Sequence, residues 1–84
     1  MVGKGKRLLE RARNHPGGLS FSEFEPLLQD SGWRRVRQEG SHRVWRSPRG
    51  HMLPIQPRKK DAKDYQVRQF VKQHDWEQAG GSKP

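Results

Sequence analysis

The fold is decided by residues 33–55, which read WRRVRQEGSHRVWRSPRGHMLPI. Two short turns, Glu39-Gly40-Ser41 and Pro48-Arg49-Gly50, divide this stretch into three short runs. Because such brief turns join neighbouring antiparallel strands, we predict a three-stranded meander. The predicted strands are 33–38, 42–47 and 51–55. Pro54 has no backbone N–H to donate, which predicts that the third strand lies at a sheet edge.

Hydrophobic residues recur at helical spacing on both sides of this stretch. We predict a first helix over residues 4–14, a second that ends at Ser31-Gly32, and a third that follows the sheet. The candidate caps are Ser20 or Ser22 for the second helix and Asp61 or Asp64 for the third. Pro26 suits the first turn of a helix, which favours Ser22. The order α-α-β-β-β-α predicts an α+β fold, with a three-stranded antiparallel sheet and the helices on one face.

The length of 84 residues allows one small domain, which we place at residues 1–78, with a flexible C-terminal tail at 79–84. The absence of cysteine excludes disulfides and thiolate chemistry. No histidine pair has zinc-site spacing, so we expect no metal and no cofactor. No stretch has the length of a membrane span or a signal peptide, which predicts a cytoplasmic protein without a membrane partner.

Positive charge is concentrated in one part of the chain. Residues 34–60 contain nine Lys and Arg but one acid, Glu39, and so carry nearly all of the formal net charge of +9. Such a local field attracts polyanions. The side chains that we expect at a phosphate backbone include Arg37, Arg43 and the run Arg58-Lys59-Lys60. Charge alone favours nucleic acid but leaves an acidic protein partner open.

His42 lies in the middle of this charge, directly after a turn. Along the predicted strand it shares a side with Val44 and Arg46, whereas Trp45 lies on the other side and is the expected core anchor. His42 is therefore predicted to face the open side of the sheet. Near neutral pH an imidazole can move the protons that RNA cleavage requires, and nearby cations can stabilise the charged transition state. We expect Trp33 and Trp76 in the core or at its rim, with base stacking as the alternative for them. The other histidines are expected in structural or incidental positions.

The run from Leu27 to Trp45, LLQDSGWRRVRQEGSHRVW, resembles the HicA-type toxins of bacterial and archaeal toxin–antitoxin pairs. The shared pattern is a helix, Gly-aromatic, a strand with Arg-Gln, Gly-Ser-His and an aromatic on the next strand, and the resemblance covers about residues 20–74. It implies a fold similar to a double-stranded RNA-binding domain and a metal-independent endoribonuclease that cleaves mRNA and blocks translation. It places the catalytic histidine at His42 and the adjoining RNA-binding pair at Gly40 and Ser41. The implied partner is a HicB-type antitoxin.

The sequence departs from this pattern in the third strand. Many family members carry Pro-x-His there, whereas this chain has Pro54-Ile55-Gln56. Two other functions therefore stay open: a non-catalytic RNA-binding module on the same fold, and an interaction module for an acidic protein. RNA cleavage needs two proton transfers, so a second group such as Ser41, a lysine or water is expected beside His42.

Overall fold

A computed structural model describes residues 4–80 of the chain. It contains three helices, a three-stranded sheet and a small hairpin. The helices are α1 Lys4–Asn14, α2 Phe21–Asp30 and α3 Asp64–Gln78. The strands are β1 Arg34–Glu39, β2 His42–Arg46, β3 Met52–Ile55, β4 Pro57–Arg58 and β5 Asp61–Ala62. The α+β class and the predicted order of the main elements are confirmed, with the hairpin β4–β5 as an addition. Residues 1–3 of the predicted domain and 81–84 of the predicted tail lie outside the described residues.

The main sheet is an antiparallel meander with the order β1-β2-β3. This order makes β3 an edge strand, as predicted from Pro54, which pairs with Val44 of β2. The pairing of β1 with β2 shifts between Arg35 and Arg37, which places Val36 in a bulge. A bulge bends a strand and increases its twist. The strand order places β2 in the centre of the sheet.

The core lies between the helices and one face of the sheet. Trp45 is 5% exposed and packs there with residues of β3, α2 and α3. The largest fully buried side chains are Leu19, Phe24, Leu27, Leu28, Ile55, Val67 and Phe70. Trp33 is also buried, whereas Trp76 is 39% exposed. The predictions of Trp45 as the core anchor and of Trp33 in the core are confirmed. Trp76 was expected in the core or at its rim, but it is exposed on α3 and is not part of the core cluster.

The second helix begins two residues earlier than the position of Pro26 suggested. Ser20, not Ser22, is the N-cap, and its side chain and that of Glu23 form a reciprocal capping box. The hydrogen bond from the Ser20 backbone, together with Arg11, lowers the pKa of the Glu23 carboxyl. Pro26 lies inside the helix, where its missing N–H removes one backbone bond. The complete capping box and the burial of Phe21 outweigh this loss.

Residues 57–62 form the hairpin β4–β5, which the sequence analysis did not predict. Its backbone is tied to the start of α2, because Phe21 N donates to Lys60 O at 2.8 Å and Ala62 N donates to Leu19 O at 3.0 Å. The prediction of Asp61 or Asp64 as a helix cap is wrong. Asp61 lies in β5, and α3 begins at Asp64 after Lys63, which makes no side-chain capping bond.

The first helix packs beside α2 and α3 through its apolar side, where Leu8 and Ala12 are buried. Arg13 of α1 also pairs with Asp75 of α3 at 2.5 Å. Next to this pair, the His74 ring packs against Phe70 with centroids 5.6 Å apart. Burial lowers the pKa of His74, so this imidazole belongs to the helix packing, as expected from its place on the inner face of α3. Within residues 4–80 no helix is long and apolar enough to cross a membrane.

Candidate active site and RNA-binding groove

The turn between β1 and β2 presents His42. Glu39 pairs with His42, so only Gly40 and Ser41 connect the two strands. Gly40 has φ +59°, a conformation that costs glycine little and other residues more. Glycine at the first central position is typical of the tight type II′ hairpin turn. This geometry explains why the sequence has glycine before Ser41 and leaves the His42 side chain exposed at the start of β2.

His42 borders a groove that we call the β3–α3 groove. The groove has a volume of about 1490 Å³ and runs from the open face of β2 across the edge strand β3 to the side of α3. Its sheet side includes Arg37, His42, Val44 and residues 49–56, and its helix side consists of Tyr65, Gln66, Gln69, Lys72, Gln73 and Trp76. The prediction that His42 lies on the open side of the sheet therefore fits its place in this groove.

The charge of the groove is predominantly positive. Its described lining includes the cations Arg37, Arg43, Arg49 and Lys72 and one acid, Glu39. Arg37 and Glu39 form an ion pair at 3.1 Å, but both side chains are about 70% exposed and the pair is weakened by solvent. An incoming phosphate can therefore compete for Arg37. The lining thus offers cations and the exposed imidazoles of His42 and His51 to the same ligand.

The turn Pro48–Gly50 lies at the end of the groove away from His42, where Arg49 and Gly50 line it. Arg49 N donates to Glu77 Oε1 at 3.1 Å, and His51 N donates to Ser47 Oγ at 2.9 Å. Burial tends to raise the pKa of Glu77, but hydrogen bonds from Ser47, Gln73 and Arg49 outweigh it and lower the pKa. Glu77 is therefore a stable anion that fixes the turn to α3. The turn holds Arg49 and His51 beside Trp76 at this end of the groove.

Arg43 differs from the other predicted RNA-binding residues because its guanidinium lies on the helix side of the sheet. It lies 5.1 Å above the Phe21 ring, and its Nε is 3.2 Å from Glu25 Oε2 in an ion pair that is not aligned as a hydrogen bond. Its Nη1 reaches Ser41 O at 3.4 Å. The side chain is 20% exposed. Arg43 therefore contacts the turn before His42 from the helix side of the sheet. Because its guanidinium is held by Glu25 and Phe21, its position does not favour the predicted phosphate contact.

Glu25 of α2 contacts Arg43 and Trp45 of β2, and its replacement tests how much these contacts stabilise the fold. Its carboxylate is 19% exposed, pairs with Arg43 and accepts a hydrogen bond from Trp45 Nε1 at 3.3 Å. We expect Glu25→Ala to lower the free energy of unfolding by about 1–3 kcal/mol, because it leaves the shielded Trp45 Nε1 donor without an acceptor and the Arg43 guanidinium without its counter-ion. Urea unfolding measures this change. Glu39→Ala, which removes the exposed pair with Arg37, is the control and should cost less than about 1 kcal/mol. Equal losses in the two variants would contradict the role given to Glu25.

The basic run Arg58-Lys59-Lys60 is exposed but does not line the groove. Lys59 and Lys60 form the turn of the hairpin β4–β5, with Lys59 at φ +55°. The hairpin starts two residues after Ile55, which pairs with Arg43. It therefore follows the end of the sheet at which His42 lies. The structure brings His42, Arg37 and Arg43 to one groove, with the Arg43 guanidinium on its helix side, and places the cations of residues 58–60 on a separate, adjoining element.

Sequence reasoning missed the helix side of the site. Tyr65, Gln69, Lys72 and Trp76 lie at spacings of four, three and four along α3 and line the groove together. Such spacing places side chains on one face of a helix. The spacing of these four residues was therefore visible in the sequence. It was not used because the apolar residues on the neighbouring face are sufficient to predict the helix. Within residues 4–80 no group of three His, Asp or Glu side chains is arranged to hold a metal ion.

The fold and the groove define a small basic α+β domain that presents His42 beside a positively charged surface. A family model described as the HicA toxin of bacterial toxin–antitoxin matches residues 21–80. The chain therefore belongs to the HicA toxin family, and the resemblance found in residues 20–74 is confirmed. Searches of curated proteins and of solved structures gave no match. The matched region begins at α2 and includes the sheet, the hairpin and α3.

Proposed function

We propose that this protein is an mRNA endoribonuclease that uses His42 for proton transfer and stops translation in a bacterial cell. The observation that carries this proposal is the position of His42, exposed after a tight glycine turn and beside the cations of the β3–α3 groove, in a chain of the HicA toxin family. A histidine in such a field has the chemistry needed to transfer a proton while cations bind phosphate.

The reaction proposed is transesterification within the RNA strand. One group removes the proton from a ribose 2′-hydroxyl, and the 2′-oxygen then attacks the adjacent phosphorus. The bond from phosphorus to the 5′-oxygen breaks, and a second group protonates that oxygen as it leaves. The products are a 2′,3′-cyclic phosphate and a free 5′-hydroxyl. His42 performs one of these transfers, and Arg37 stabilises the negative charge on the phosphate oxygens.

Gln56 occupies the position at which many family members carry a second histidine. It lines the groove, and its backbone N–H donates to Gln66 Oε1 at 3.1 Å. A glutamine side chain does not titrate near neutral pH. The second proton transfer in this chain must therefore use another group, for which we propose Ser41, Lys72 or water. This substitution also gives the non-catalytic RNA-binding alternative its basis.

The partner that we propose is an antitoxin of the HicB type that covers the groove. The net charge of +9 favours an acidic surface on this partner. An antitoxin bound over His42 and Arg37 would exclude RNA from the same cations. The expected consequence is that the complex neither binds nor cuts mRNA until the antitoxin is removed.

Cleavage of a defined transcript in excess EDTA tests the reaction class. We expect the purified protein to cut mRNA with undiminished rate in EDTA and to leave 2′,3′-cyclic phosphate ends, because the proposed steps need a 2′-hydroxyl and no metal ion. The matched control is the same sequence with 2′-O-methyl riboses, which should stay intact. Cleavage of the methylated strand, or dependence on added Mg²⁺, would show that the mechanism is wrong. Binding without cleavage of either RNA would favour the non-catalytic module.

A further inference from the structure

Exposed apolar side chains are concentrated in the β3–α3 groove. In residues 4–80 four large hydrophobic side chains are substantially exposed, and three of them line this groove. These three are Met52 at 50%, Tyr65 at 50% and Trp76 at 39% exposed. The fourth, Val36, lies in the bulge of β1 outside the groove. Clustered apolar exposure of this kind marks a binding surface.

The two aromatic rings lie at opposite ends of one helical face. Tyr65 and Trp76 are eleven residues apart on α3, which corresponds to about 16 Å along the helix. Gln69 and Lys72 lie between them on the same face and also line the groove. Along the groove, α3 therefore presents an aromatic ring, an amide, an ammonium group and a second aromatic ring, in that order. This row faces the strand edge near His42 at one end and Arg49 at the other.

The backbone of β3 argues against a peptide strand as the occupant of the groove. Pro54 has no N–H to donate, and the N–H of Gln56 already donates to Gln66 Oε1 at 3.1 Å. Strand addition depends on free main-chain donors along an edge. Pro54 and Gln56, two successive positions on the outer side of this edge, therefore offer no free N–H to an added strand. The cations Arg37, Arg49 and Lys72 favour a polyanion instead.

We propose that the β3–α3 groove binds single-stranded RNA, with bases stacked on Tyr65 and Trp76 and phosphates bound by Arg49 and Lys72. Flat aromatic side chains beside cations bind unpaired bases in this way, whereas the bases of a duplex are already stacked on each other. The inference deepens the proposed function, on which it rests for the choice of RNA as ligand. It names the form of RNA that reaches His42 and the residues that hold it.

The test is equilibrium binding of a short labelled RNA, measured by fluorescence anisotropy in the His42→Ala background so that the strand stays intact. The same strand annealed to its complement serves as the duplex probe. We expect Tyr65→Ala and Trp76→Ala each to weaken single-strand binding about 5- to 100-fold, as for the loss of one stacked base. Trp76→Phe keeps a ring and should retain most of the affinity. Val36→Ala, which removes an exposed side chain outside the groove, is the matched control and should leave affinity unchanged.

The outcomes separate this inference from the proposed function. If the wild-type protein never cuts RNA but both aromatic variants lose single-strand binding, the proposed function fails and the groove assignment stands. If the wild-type protein cuts RNA but the aromatic variants bind single strands normally, the groove assignment alone is overturned. It is also overturned if the duplex binds as tightly and with the same losses, or if the aromatic substitutions weaken only the complex with the antitoxin.

Discussion

Replacing His42 with Ala is expected to lower the rate of RNA cleavage about 10²–10⁴-fold, the usual contribution of one general acid or base. The fold should not change, because the side chain is exposed and the turn that positions it depends on Gly40 and the pairing of Glu39 with residue 42. Single-turnover cleavage of a labelled transcript measures the effect. Circular dichroism and thermal melting of the variant show whether its fold is kept.

The matched control for this experiment is His51→Ala. His51 is also exposed and also lines the groove, but it precedes the end of β3 at which Met52 pairs with Arg46. Four residue steps along β2, about 13 Å, separate that pair from His42. We expect the His51 variant to cut RNA within a few-fold of the wild-type rate. Equal activity of the wild type and the His42 variant would refute the catalytic assignment.

The same pair of variants tests the biological effect. Induced wild-type protein should arrest bacterial growth and deplete mRNA, whereas the His42 variant should do neither at equal protein level. Loss of toxicity in the His51 variant as well would indicate that growth arrest depends on RNA binding by the groove rather than on the imidazole of His42. The cleavage assay then decides between the two explanations, because it measures the chemical step directly.

The main sheet could be predicted from the sequence because its signals are local. Gly40 and Gly50 fall in short turns, Trp45 alternates with exposed neighbours, and Pro54 restricts its strand to an edge. Each of these effects acts within a few residues. The structure confirms all of them, with β1, β2 and β3 differing from the predicted strands by one residue at their ends.

The hairpin β4–β5 could not be predicted in the same way, because its support comes from distant residues. Its sequence, PRKKDA, contains charged residues and a proline, and both disfavour a strand. The backbone bonds of Lys60 and Ala62 to the segment before α2 hold it in place. These contacts join residues about 40 positions apart in the chain, and no local pattern reports them. The position of the Ser20 cap also depends on distant residues, because a helix that begins at Phe21 buries this side chain in the core.

The candidate site was predictable only on its sheet side. His42 and Arg37 follow from the strand pattern and the turn, whereas Tyr65 and Trp76 join the site because α3 lies beside β3. The role of Arg43 stays a prediction. Charge placed it among the phosphate-binding residues, and it borders the groove, but its strand position gave it the same side as Trp45, where its guanidinium lies against Glu25 and Phe21. Alternation along the strand predicts this orientation of the guanidinium, whereas charge does not.

The largest effect on stability is expected from Phe70→Ala. Phe70 is fully buried, and its ring packs edge-on against Phe24 at 6.0 Å and Trp33 at 5.4 Å between centroids. Truncating such a side chain costs about 3–5 kcal/mol, a large part of the 5–15 kcal/mol that stabilises a typical domain. We expect the melting temperature to fall by more than about 10 °C. Phe70→Leu is the control and should cost clearly less, because it keeps most of the buried volume.

This substitution also tests whether the groove depends on the seating of α3. Phe70 attaches α3 to the core, whereas Tyr65 and Trp76 face the groove from the same helix. If the core fixes the position of the helix, Phe70→Ala should weaken single-strand RNA binding even at temperatures where the variant remains folded. Unchanged affinity in the folded variant would show that the groove forms without this contact. A melting temperature within about 2 °C of the wild type would instead show that Phe70 is not part of a tightly packed core.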